Sequence, residues 1–145
     1  MRALLDANIF ISYLLTPGSD TPPVLVVEAA FTGAYTLLIT STVIAEVHDK
    51  TSTKPYLAAR ITQNQVARLA DHLSTIAETI PEIEDALPEV GSDRKDDYLF
   101  AHALVGCANY LVSGDDGVLR IGQIEGVRIV SPAQFVEILR QSDLV

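Results

Sequence analysis

The chain has 145 residues, 48% of them hydrophobic, and its 19 acidic against 10 basic residues give a net charge of −9. That length suits one domain over residues 1–145 with a sizeable core, and a mean hydropathy of +0.27 excludes a disordered chain. The negative balance argues against a module that holds nucleic acid by bulk electrostatics, but it leaves room for a nuclease whose divalent ions reverse the local sign.

The apolar runs are too short to span a membrane, and Asp6 arrives before any signal-peptide hydrophobic region, so a cytoplasmic protein with no membrane partner is expected. In chain order, residues 2–5 read as a short buried strand and 8–15 as the helix after it. Thr16-Pro17-Gly18-Ser19-Asp20 breaks the chain, Pro22 and Pro23 open a helix reaching Phe31, and Gly33 ends it. A second strand covers 35–39. Thr40, Ser41 and Thr42 then offer N-caps for a helix carrying Val43, Ile44, Glu46 and Val47.

After a polar break over 49–55, Val66, Leu69, Ala70, Leu73, Ala77 and Ile80 repeat with helical spacing, and 76–80 is expected to finish as a short strand. Seven acids lie between Glu82 and Asp97, relieved only by Arg94 and Lys95, and are read mostly as a solvated loop, with 88–93 irregular. A helix from about 96 to 107 follows, then a strand at 110–113, a short helix near 118–121, a strand at 127–130 and a last helix over 132–141. Cys107, the single cysteine, is expected to be a buried small hydrophobe. Short apolar strands alternating with helices predict an α/β fold, a three-layer α/β/α sandwich around a parallel sheet.

Four carboxylates stand where apolar runs meet polar sequence: Asp6, Glu46, Asp97 and Asp115. Acids in such settings are costly unless compensated. Ligands of open parallel sheets bind outside the carboxyl ends of the strands, and Asp6, Ser41 and Asp115 each fall at or just past such an end. Three or four converging carboxylates raise one another's pKa, and Mg²⁺ or Mn²⁺ is the simplest means of keeping them ionised together. Taken singly, Glu46 reads as an exposed helical residue and Asp115 as a helix N-cap.

The chain carries four short motifs in order: Leu4-Leu5-Asp6-Ala7-Asn8-Ile9-Phe10-Ile11, Thr40-Ser41-Thr42-Val43-Ile44-Ala45-Glu46-Val47, Asp96-Asp97-Tyr98-Leu99-Phe100-Ala101-His102-Ala103 and Tyr110-Leu111-Val112-Ser113-Gly114-Asp115-Asp116. Together they resemble the PIN-domain ribonucleases, which include the VapC-type toxins of toxin–antitoxin pairs, over essentially the whole chain. The resemblance implies a Mg²⁺- or Mn²⁺-dependent endoribonuclease with an RNA substrate and an antitoxin partner, often a homodimer. Asp6, Glu46, Asp97 and Asp115 would be its metal ligands, direct or through water. Asn8 and Ser113 would orient them, and Ser41 would be an N-cap first and a site residue second. In the resembled pattern an Asp stands four residues ahead of an Ala, which fits Asp97 and Ala101, with Asp96 the alternative to Asp97; Asp116 is the alternative to Asp115.

The setting is unusually acidic for such an enzyme. Arg94 and Lys95 are the only bases close to Asp97 in sequence, so a second subunit presenting Arg60, Arg68 or Lys54 is the expected source of positive charge. His48, His72 and His102 lack partner motifs, and neither a nucleophile elbow nor a glycine-rich phosphate loop is present. Two other readings stand beside the nuclease. One is a catalytically silent PIN scaffold, favoured by the net charge. The other is a haloacid-dehalogenase-like phosphatase, whose defining second Asp is replaced here by Asn8.

Overall fold

Leu4 sits in register between Leu38 and Leu111, one on each neighbouring strand, with no exposed surface. The computed structural model containing this trio describes residues 1–83 and 94–142, and side chains for all of these but 94 and 95. In chain order its elements are β1 (Arg2–Leu5), α1 (Ala7–Leu15), α2 (Pro22–Phe31), β2 (Thr36–Ile39), α3 (Ser41–Thr53), α4 (Pro55–Ala58), α5 (Gln63–Ile76) and β3 (Glu78–Thr79). There follow α6 (Arg94–Val105), β4 (Tyr110–Val112), α7 (Asp116–Leu119), β5 (Gln123–Ile124), β6 (Val127–Val130) and α8 (Pro132–Gln141). The strands form one six-stranded sheet in the order β3-β2-β1-β4-β6-β5, parallel except for the β5–β6 edge.

Ala3, Leu4 and Leu5 point alternately to opposite faces of β1 and all are fully buried, so helices cover the sheet on both sides. This is the expected three-layer mixed α/β architecture. α2 packs against α1 and α8, α3 against α1, α4 and α5, and α6 against β4. Phe10, Phe100 and Phe135 fill the core, and Tyr35 meets Phe135 edge-on at 5.0 Å. Among the described residues no helix is long and apolar enough to cross a membrane.

Local chemistry sets most boundaries. Thr62 and Ser131 each close a capping box, with Gln65 and Gln134, at the starts of α5 and α8. The helical repeat read on to Ala77 and Ile80 stops at Ile76, because the chain turns extended to reach β3. The N-cap of α3 is Thr40, whose hydroxyl accepts from the Val43 N–H at 3.1 Å; Ser41 is therefore the first helical residue and not the cap. Cys107 is exposed rather than buried: it has a positive φ of 53° in the turn that ends α6. Its predecessor Gly106 packs closely: a Cβ there would stand 2.6 Å from Ile80 Cδ1 and 3.2 Å from the His102 carbonyl oxygen, so a side chain would require Ile80 to shift. The loop expected at 88–93 lies outside the described residues.

Candidate active site

The order in which strands are laid down reverses between β1 and β4: β2 and β3 are added on one side of β1, and β4 and β6 on the other, all parallel. The carboxyl ends of β1 and β4 therefore border a crevice, the place where open α/β sheets take ligands. Asp6 follows β1 and Ser113 follows β4. The Asp6 N–H is bonded to the Val112 carbonyl, and the Ser113 N–H to the Val130 carbonyl, at 3.0 Å each, which fixes both residues at the rim.

The Asp6 side chain is held firmly there. Ser113 Oγ donates to Asp6 Oδ2 at 2.9 Å and accepts from the Asp115 N–H at 3.1 Å. Asp6 is only 7% exposed. Burial pushes its carboxyl above the usual range; the Ser113 hydroxyl opposes the rise, Glu46 adds to it, and Lys50 and the Asn8 backbone N–H oppose it. Asp6 and Glu46 are thus neighbouring negative charges on different elements.

Lys50, one turn beyond Glu46 on α3, joins this group. Its Nζ lies 3.5 Å from Glu46 Oε1 and donates to Asn8 Oδ1 at 3.1 Å. Asn8 itself is exposed, and its side chain serves the lysine. Sequence reading missed Lys50, although its place four residues after Glu46 on one helical face was the available signal.

On the other flank, Asp115 caps α7 by accepting from the Gly117 N–H at 2.9 Å, as expected of the residue taken singly. The point where a Cβ on Gly117 would sit lies 3.4 Å from Asp115 Oδ1 and 4.0 Å from Asp96 Oδ2. Asp96 and Asp115 therefore share one small neighbourhood. Asp97 is buried in the same first turn of α6, and Asp116 is exposed at the start of α7.

Ser41 faces a different carboxylate. Its hydroxyl donates to Glu82 Oε1 at 2.6 Å; the Thr42 N–H and hydroxyl each donate to the same oxygen at 3.1 Å, and the Tyr98 hydroxyl at 3.0 Å. Glu82, grouped by sequence with a solvated acidic loop, instead ties the start of α3 to α6. Burial works to raise its carboxyl, yet these hydrogen bonds together hold it below the usual range. Fully buried His102 completes the latch: Nε2 accepts from the Ile83 N–H at 3.2 Å and Nδ1 meets the Tyr98 carbonyl at 2.9 Å, which assigns the hydrogen to Nδ1. With Nε2 an acceptor, the 3.6 Å approach of Glu82 is a contact and not a salt bridge.

A buried Asp thus stands at the sheet switch point, joined through Ser113 to the acidic start of α7. The family model for the PIN domain matches residues 2–117. The chain belongs to the PIN domain family. Proteins of this family are in general nucleases, and membership sets aside the phosphatase reading. A search of curated proteins returns no match. The PIN match ends in α7, but the sheet continues through β6, whose Ile129 pairs with Leu111.

PIN domains typically use divalent metals. In donor chemistry this rim fits a hard divalent cation: it offers carboxylate oxygens, and burial of Asp6 beside Glu46 favours a nearby positive charge. In arrangement it is not a closed cage. Among the described residues no group of three or more His, Cys, Asp or Glu side chains is gathered closely enough to hold a metal ion.

Proposed function

We propose that this PIN domain is a divalent-metal-dependent endoribonuclease and the toxin component of a toxin–antitoxin pair, a single cytoplasmic domain over residues 1–145 that works as a homodimer. The observation that carries the reading is Asp6, a nearly inaccessible carboxylate clamped by Ser113 at the switch point and electrostatically joined to Glu46. An acid kept in so costly a place, with its rotamer fixed by a neutral donor, suits a residue selected for cation binding.

Asp6, Glu46, Asp115 and one of the adjacent pair Asp96 and Asp97 would hold Mg²⁺ or Mn²⁺; of that pair we favour Asp96, because its Oδ2 and Asp115 Oδ1 both lie within 4.0 Å of the space above Gly117. The bound metal supplies an activated water and offsets charge building on the phosphodiester. Ser113 holds Asp6, and through its backbone contact sets where Asp115 begins α7. Asn8 holds Lys50, and Ser41 engages Glu82, so each of these positions a neighbour. Arg60, Arg68 and Lys54 are exposed, which suits presentation of charge to RNA by a second subunit.

Incubation of the purified chain with mixed RNA tests the reading. Cleavage with Mn²⁺, its loss in EDTA and its loss in Asp6→Asn are expected. A folded chain that leaves RNA intact with Mn²⁺ present would instead favour the silent scaffold, for which the net charge of −9 is the argument. The toxin label has its own check: a small neighbouring reading frame encoding a DNA-binding domain with a tail.

A further inference from the structure

An exposed Lys–Glu pair four residues apart on a helix usually contributes little. Lys50 differs from that case in two respects. Its side chain and that of Glu46 are each only 22% exposed, and Lys50 reaches off its own helix to the Asn8 amide oxygen on α1. Its ammonium is therefore fixed between α1 and α3, at the edge of the crevice that Asp6 enters from β1. The amide accepts a hydrogen bond from the lysine without neutralising it, so the charge remains available to Glu46 and Asp6.

We infer that Lys50 is the built-in counter-cation of the carboxylate rim and sets how tightly the rim binds a divalent metal. This rests on the metal-dependent reading above. The ammonium makes it tolerable for Asp6 and Glu46 to be ionised side by side, and a metal sharing Glu46 with it must bind against a like charge. A double and a single positive charge about 6 Å apart repel, even at the dielectric constant of water, by enough to change an equilibrium constant about tenfold. The positive charge missing from the sequence around the site is thus supplied from within the same chain, by a residue that weakens metal binding.

Calorimetric titration of Mn²⁺ into the full-length chain tests this. Lys50→Met keeps the aliphatic stem and removes the charge; it is expected to bind Mn²⁺ about tenfold more tightly than the wild type. Lys50→Gln, which retains a donor for Asn8, should behave like Lys50→Met, and Lys50→Arg like the wild type. Equal or weaker Mn²⁺ binding by both uncharged variants, with circular dichroism unchanged, overturns the inference and leaves the metal site standing. A wild-type chain that binds no Mn²⁺ overturns the metal-dependent reading and the inference with it. Asp6→Asn separates the two failures, because it should lose Mn²⁺ binding whatever stands at position 50.

Discussion

Ser113 Oγ lies 2.9 Å from Asp6 Oδ2, and this one hydroxyl joins the ends of the two central strands across the switch point. Ser113 has no exposed surface, so water cannot replace it easily. Ser113→Ala leaves a buried carboxylate with one donor fewer and is expected to cost about 1–3 kcal/mol of stability at neutral pH. Urea denaturation of both proteins measures it. A change indistinguishable from zero would mean that Asp6 finds another donor.

Asp6→Asn is expected to act in opposite senses on stability and on metal response. Because burial raises the folded-state pKa of Asp6 above 3.8, the ionised form opposes folding at neutral pH. That penalty is relieved as pH falls through the folded pKa, and is fully removed below the unfolded value. In EDTA, Asp6→Asn should therefore melt at or above the wild-type temperature at neutral pH, and this advantage should shrink as pH falls toward 3.8. With Mn²⁺ added, the wild type should gain in melting temperature and the variant should not. A variant that melts well below the wild type in EDTA contradicts the account of Asp6 as a site kept at a cost to stability.

Glu82 has the reverse sign. Its folded pKa is held below 4.5, so its contribution is present above that value and is lost as pH falls through the folded pKa. Glu82→Ala removes the acceptor for Ser41, Thr42 and Tyr98; with 38% of the side chain exposed, solvent screening limits the loss to about 1–2 kcal/mol. The difference in urea midpoint between Glu82→Ala and wild type should be largest near neutral pH and should narrow below pH 4.5. A difference that does not depend on pH would assign the effect to packing instead of to the charged acceptor.

The sheet was legible in the sequence because its central strands are short, mostly apolar and followed by polar breaks. β6 and α8 fall at the expected residues, and Ser131 with Gln134 marks the start of α8 chemically. β5 and α4, two and four residues long, carry too few positions to show a period. Asp6 was legible as an acid ending a buried strand, and its bond to Ser113 follows from strands that are adjacent in the sheet. Glu82 was not, since its partners lie 41 and 16 residues away and it sits among other acids. Lys50 was hidden for a similar reason: its contact with Asn8 spans 42 residues and depends on how α3 packs against α1. Cys107 was misplaced because apolar neighbours indicate burial only where the backbone continues regularly, and here it turns to positive φ.

Asp96 and Asp97 are adjacent, of the same residue type and both buried, so only geometry separates them. Asp96 Oδ2 and Asp115 Oδ1 lie 4.0 and 3.4 Å from the point where a Cβ on Gly117 would sit, whereas the spacing to Ala101 points to Asp97. Neutralising the residue that shares the metal with Asp115 should reduce cleavage by about a hundredfold or more, the scale seen when an electrostatic stabiliser is removed from an active site. Asp96→Asn is expected to show that loss together with weakened Mn²⁺ binding, and Asp97→Asn a smaller effect on both. Single-turnover cleavage of one defined RNA, paired with Mn²⁺ titration of each variant, decides between them. If Asp97→Asn proves the more damaging in both measurements, the spacing to Ala101 was the better guide, and the neighbourhood around Gly117 serves only to cap α7.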